Sequence, residues 1–175
     1  MVTTRLRDWR DDGDSTVSTL RRFITDADSP RPVTDGTTPL TTALDEVERV
    51  LREEHDRLLT VVGQCADAVV AEWDGDSVAD RDRVVPPFAR ALDGSGALSR
   101  LPRALADAVT ATGRPMPAPP VAAPPYVVVT GEGVVLRATV GDERLVILLR
   151  TFDVTSDESE RYVRTGDVSI EVEVR

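Results

Sequence analysis

Six prolines fall within the twelve residues Arg114–Pro125, RPMPAPPVAAPP, and no other feature of the chain restricts its fold as strongly. Proline lacks a backbone donor and has a fixed φ, so this run suits neither a regular helix nor a central strand and favours polyproline II geometry. At about 3.1 Å per residue it forms a stiff connector able to cross one face of a small domain. The sequence changes character across it. Apolar residues recur at helical spacing before the connector and sit in β-branched runs after it. That order predicts an α+β domain, with a helical layer first and a four-stranded antiparallel sheet second.

Upstream, the stretch Thr42 to Gly75 carries Leu44, Val47, Leu51, Leu58, Val62, Val69 and Trp73 at steps of three and four, with His55 and Cys65 in register. Glu46, Arg49, Glu53, Asp56, Thr60, Gln64 and Asp67 occupy the opposite face, so one long amphipathic helix of roughly 45 Å is expected. Thr42 with Asp45 is its N-cap signal, Gly75 its stop, and Gly63 the point at which it would bend. Asp45 to Arg49, Glu48 to Arg52 and Glu53 to Arg57 have the favourable i,i+4 order. Two shorter helices follow. VVPPFARAL, Val84 to Leu92, has Pro86 and Pro87 suited to a first turn. ALSRLPRALADAVTATG places Leu98, Leu101, Leu105, Ala108 and Val109 on one face, with Pro102 tolerable only in the first turn.

Downstream, strands are expected at Tyr126 to Thr130, Val134 to Val140, Arg144 to Val154 and Asp167 to Val174. Their connections are GEG, GDE and the polar loop SDESERYVRTG. In the last strand Val168, Ile170, Val172 and Val174 alternate with polar residues, so one of its faces is wet. The run LVILL, Leu145 to Leu149, does not alternate, which predicts a central strand covered on both faces. The helices would form one cover, and the N-terminal arm or a second subunit the other. The organisation expected is an arm over 1–40, flexible or partly ordered, and one domain over 41–175. Within that domain, 41–113 form the helical layer, 114–125 the connector and 126–175 the sheet. In the arm, Val17, Leu20 and Ile24 could form two helical turns, and an over-extended gene model is the alternative.

All 21 basic residues are arginine against 31 acids, for a formal net charge of -10. With few aromatics, this is the composition expected of a halophilic cytoplasm, where molar salt shortens the Debye length to about 3 Å and acidity serves hydration. A single cysteine forbids an internal disulfide, and the longest apolar runs are far short of a membrane span. A soluble cytoplasmic protein is expected.

VVPPFARAL, PVAAPPYVVVT and VVLRATVGDERLVILLRTFDV resemble segments of a haloarchaeal family of small proteins of unknown function. The likeness runs from about Leu44 to Val154, and the family brings no active site to carry over.

The absence of lysine rules out a Walker A loop, the ordinary kinase lysine and any Schiff base. TGEGV, Thr130 to Val134, is therefore a hairpin turn. His55 and Cys65, each the only one of its kind, stand ten residues apart on a helix, about 15 Å, too far to share an ion. They read as a hydrogen-bonded histidine at the core edge and a space-filling thiol; the sharper alternative pairs His55 with its symmetry mate across a dimer. Asp74, Asp76, Asp80 and Asp82 miss the EF-hand pattern at Val78, Ala79 and Val85 and read, like Asp157, Glu158 and Glu160, as a solvated loop. No catalytic residue, metal site or cofactor is expected. Arg5, Arg7, Arg10, Arg21 and Arg22 around Trp9 are the best nucleic-acid candidates, but Asp8, Asp11, Asp12 and Asp14 interrupt them.

Three functions compete. The leading one is a non-enzymatic interaction module that binds a protein partner or itself. A second is a small-molecule-binding regulatory domain, in which Tyr126, Arg137, Arg150 and Tyr162 reach an anion in a pocket between helices and sheet. The third is a carboxylate-based hydrolase or metal enzyme.

Overall fold

The computed structural model describes residues 39–156 and 159–175. Outside them lie the expected arm up to residue 38, with its apolar cluster and arginines, and the loop residues Asp157 and Glu158. A 3-10 turn, Leu40–Ala43, opens the described chain and buries Leu40 completely. Helices α1 (Leu44–Glu54) and α2 (Asp56–Val70) follow, then the short strand β1 (Ser77–Val78) and a second 3-10 turn (Arg81–Arg83). Helices α3 (Val85–Gly94) and α4 (Ala97–Ala111) precede the connector. Strands β2 (Val127–Val129), β3 (Gly133–Val140), β4 (Glu143–Thr155) and β5 (Arg161–Val174) complete an antiparallel sheet of order β1-β5-β4-β3-β2.

The α+β architecture therefore stands, with four helices and five strands in place of three and four. The single long helix is two. At His55 the backbone leaves the helical region, at φ -115° and ψ 20°, although the apolar stripe continues through it without a proline or glycine. Tertiary partners account for the division, since α1 packs on α4 while α2 packs on α3, and both lie against β5. Gly63, the expected bend, lies within unbroken α2 because β5 passes close; a Cβ there would stand 3.4 Å from Val168 Cγ2. Helix α2 also stops at Val70 rather than Gly75, and its following turn places Trp73 against Phe152, ring centroids 6.0 Å apart. No side chain caps α1, whose N-cap is Ala43 rather than Thr42. Helix α4 starts at Ala97, so Pro102 sits inside it, beyond the first turn.

Two further corrections concern the sheet. β1 falls in the segment expected to be a solvated acidic loop: Ser77 pairs with Val163, Val78 with Tyr162, and Val78 is buried. β5 starts at Arg161, inside the expected polar loop, because Tyr162 belongs to the core and not to a surface turn. It reaches its full length through a bulge. Arg150 pairs with Ser169 and Phe152 with Arg164, which leaves Thr165 to Val168 opposite Thr151 alone. Gly166, at φ +92°, makes that excursion feasible.

The core fills the space between the helices and one face of the sheet. Val134, Leu136 and Ala138 of β3 and Leu145, Ile147 and Leu149 of β4 meet Val47, Leu51, Val62, Phe88, Leu101 and Leu105, all essentially without exposure. Phe88 stands edge-on to Phe152 at 5.4 Å. Full burial of such a side chain stabilises by about 1.5–3 kcal/mol. As expected, β4 is a central strand, but only its helix-facing side is sealed. Val146, Leu148 and Arg150 on the other side remain partly exposed among the described residues.

Candidate functional site

Strand alternation decides where the candidate side chains point. Because Leu136 and Ala138 take the helix-facing side of β3, Arg137 stands on the open face, and the same logic places Arg150 there between Leu149 and Thr151. Tyr126 lies opposite Arg137, whose N–H donates to the Tyr126 carbonyl at 2.8 Å. Tyr126 and Arg137 thus come together, but outside the sheet and not between sheet and helices. They line a groove of about 320 Å³ with Met116 and Pro125 of the connector side and Arg144 of β4.

Arg150 stands farther along the same face and is fully engaged. It donates from Nε to Glu171 Oε1 at 2.7 Å and from Nη1 to Asp153 Oδ1 at 3.0 Å, and these carboxylates, Glu171 foremost, hold its pKa above the usual arginine value. Tyr162 is elsewhere. It is buried against the TGEGV hairpin, where a Cβ on Gly131 would lie 2.5 Å from the ring, and its hydroxyl donates to Glu160 Oε1 at 3.1 Å. Burial first, and then the Glu160 carboxylate, raise its pKa. The hairpin is a turn as expected: Thr130 N–H and its hydroxyl both donate to the Gly133 carbonyl, at 2.8 and 3.0 Å.

His55 occupies the break between α1 and α2. Its ring is mostly buried and its Nε2 stands 3.0 Å from Asp107 Oδ2 of α4, the bonded core-edge histidine that its place in the stripe suggested. Glu54 completes a group of three possible metal ligands within 4.8 Å of one another. Arg103 reaches the same Asp107 oxygen at 3.7 Å, so the carboxylate already serves two cationic or donor groups. Cys65 is buried with its Sγ 3.3 Å from Ser95 Oγ, far from this cluster in its contacts.

A second groove, about 400 Å³, runs between α2 and the β5 bulge, lined by Arg52, Asp56, Gln64, Asp67, Arg164 and Asp167 among others. Arg164 bridges it, donating to Asp67 Oδ1 at 2.9 Å, to the Thr151 carbonyl at 3.0 Å and to the Gly63 carbonyl at 3.3 Å. These bonds tie the bulged strand to the helix. The arrangement reads as a structural clamp, and the adjacent Thr151 hydroxyl is buried without a partner among the described residues.

The family described as Domain of unknown function (DUF7988) matches residues 45–175. The chain belongs to that family. The matched region takes in both helical pairs, the connector and the entire sheet, and it begins one residue into α1. Comparison with curated proteins gave no match, and comparison with solved structures gave none.

Arg144 is the residue that sequence reasoning missed. In GDERL it reads as a hairpin residue beside an acid, yet Glu143 turns to the opposite side of the strand and pairs with Arg114 at 2.8 Å. Arg144 is left on the open face next to Arg137. The register, Arg137 opposite Val146 and Arg144 opposite Thr139, makes the two arginines diagonal neighbours.

Proposed function

We propose that this protein is a non-enzymatic interaction module that pairs with a second copy of itself through the open face of its sheet. One observation carries this reading. In a chain of net charge -10, the open face holds Arg137, Arg144, Arg150 and Arg175 against Glu132, Glu171 and Glu173, around half-exposed Val135, Val146 and Leu148. Two copies that meet there bring together near-balanced charge and an apolar stripe. Two copies that meet through a strongly acidic surface repel. Arg137, Arg144 and Arg150 lie on β3 and β4, and Glu171 and Glu173 on β5 with Arg175 at its end, so a two-fold related copy can set a mainly basic side against a mainly acidic one.

The acid excess and the lack of lysine support operation in the concentrated salt of a haloarchaeal cytoplasm. There, screening to about 3 Å removes the long-range repulsion between two acidic copies and leaves the apolar stripe effective. Among the described residues no helix is long and apolar enough to cross a membrane.

Light scattering of the full chain at rising concentration, in molar KCl and in dilute buffer, tests the reading. The expected result is a doubled mass in molar KCl that Leu148→Glu returns to the monomer value. A monomer at every concentration, or a dimer that Leu148→Glu leaves intact, overturns it.

A further inference from the structure

Arginines on this chain are surrounded by acids, and most of those described are matched. Arg49 bonds Glu46 and Glu53, Arg52 bonds Glu48, Arg150 bonds Glu171, and Arg175 bonds Glu173. Arg57 and Arg100 have no such partner among the described residues, and Arg137 and Arg144 share that state while standing side by side. Neither guanidinium has a hydrogen bond or ion pair among the described residues, although the two are diagonal neighbours on one sheet face. Long side chains on diagonal neighbours are within reach of one another, and two like charges there gain nothing from each other. The nearby acids on their face, Glu171 and Glu173, are already bonded to other arginines, and Glu143 is drawn away by Arg114.

The two cations also share a shaped surface. Both line the groove of about 320 Å³ whose remaining walls include the Tyr126 ring, Met116 and Pro125. The connector forms one side of it and the β3–β4 end of the sheet the other. Guanidinium groups match the oxygen pairs of carboxylate and phosphate, and a phenol with flat apolar neighbours suits an apolar body attached to such a group.

We infer that this groove binds a small organic oxyanion, a phosphate or carboxylate carried on a flat apolar body. Arg137 and Arg144 hold the oxyanion while Tyr126, Met116 and Pro125 contact the body. The bound anion supplies the counter-charge that the chain withholds from this pair. The inference goes beyond self-association and does not require it, because the groove lies within one copy. Arg137 and Arg144 also belong to the face proposed to pair, so the anion and a second copy compete for them.

Titration of the isotope-labelled full chain with phenyl phosphate, followed by amide chemical shifts in dilute buffer, tests it. The experiment is run on the Leu148→Glu variant as well, so that failure to dimerise and failure to bind are read separately. Saturable shifts are expected at Tyr126, Arg137, Ala138 and Arg144, with affinity lowered at least tenfold by Arg137→Gln with Arg144→Gln. Both side chains are exposed, and Arg144→Gln alone serves if the pair disturbs the fold. Benzoate separates carboxylate from phosphate preference, and inorganic phosphate, lacking the apolar body, is expected to bind more weakly. Non-saturable shifts, shifts spread over arginines throughout the protein, or binding unchanged in the glutamine variants overturn the inference.

Discussion

On β4, Leu145, Ile147 and Leu149 point to the helices and keep at most 1% of their surface, while Val146, Leu148 and Arg150, one residue out of step, are only half covered. The backbone is the same and the side chains alternate between two environments. One face is closed by four helices and holds mainly aliphatic and aromatic groups, with Thr151 buried among them. The other combines an apolar stripe with arginines and glutamates. The contrast separates two demands on a single strand: the closed face determines that the chain folds, and the open face is free to determine what it meets.

The strongest test of this contrast is a pair of truncations on the same strand, at Phe152 and Leu148. Phe152→Ala empties a site between Trp73 and Phe88 and is expected to cost about 3–5 kcal/mol in urea unfolding. Leu148→Ala, on the open face, is expected to cost under about 1 kcal/mol in the monomer. Comparable losses would mean that the open face is covered within one chain. Gly133→Ala probes a point where the backbone of β4 approaches too closely for any side chain. With φ at +148° and a Cβ that would stand 2.0 Å from the Leu149 carbonyl oxygen, it is expected to lose about 1–3 kcal/mol, read by the same unfolding curves.

A third test uses pH. Burial of Tyr162 raises its pKa above 10.0, so the folded chain keeps a proton that the unfolded chain releases. Its contribution is complete below the unfolded value and is lost as pH climbs past it. Tyr162→Phe should therefore flatten the decline in melting temperature above pH 10, and an unchanged alkaline limb would contradict the assignment. The smallest effect belongs to the helices' outer surface. Glu48→Gln breaks the exposed pair with Arg52 and is expected to cost a few tenths of a kcal/mol in dilute buffer and nothing in molar salt.

Much of this architecture is legible in the residues. The proline run separates helices from sheet, and the alternation in SIEVEV gives the facing of β5 correctly. β1 escapes because two residues in an aspartate-rich segment carry no periodic signal; only the partner strand, more than eighty positions later, makes Ser77–Val78 a strand. The break at His55 escapes for the opposite reason, since nothing local interrupts the helical pattern and the turn is imposed by packing on α3 and α4. In the groove, Tyr126 and Arg137 can be named from residue type. Arg144 cannot, because its isolation depends on Glu143 leaning towards Arg114. Of the three i,i+4 pairs expected on the first helix, Glu48 with Arg52 forms, while Arg49 turns to Glu46 and Glu53.

The position of β5 has a consequence for folding. This strand, the latest of the described elements along the chain, lies between β4 and the early strand β1, and Arg161 alone binds Ser77 through both its hydroxyl, at 2.8 Å, and its carbonyl. Until those residues are available, Ser77–Val78 has no strand to pair with and the inner edge of β4 stays bare. Closure of the sheet is thus a late event in folding, set by contacts that span more than eighty positions.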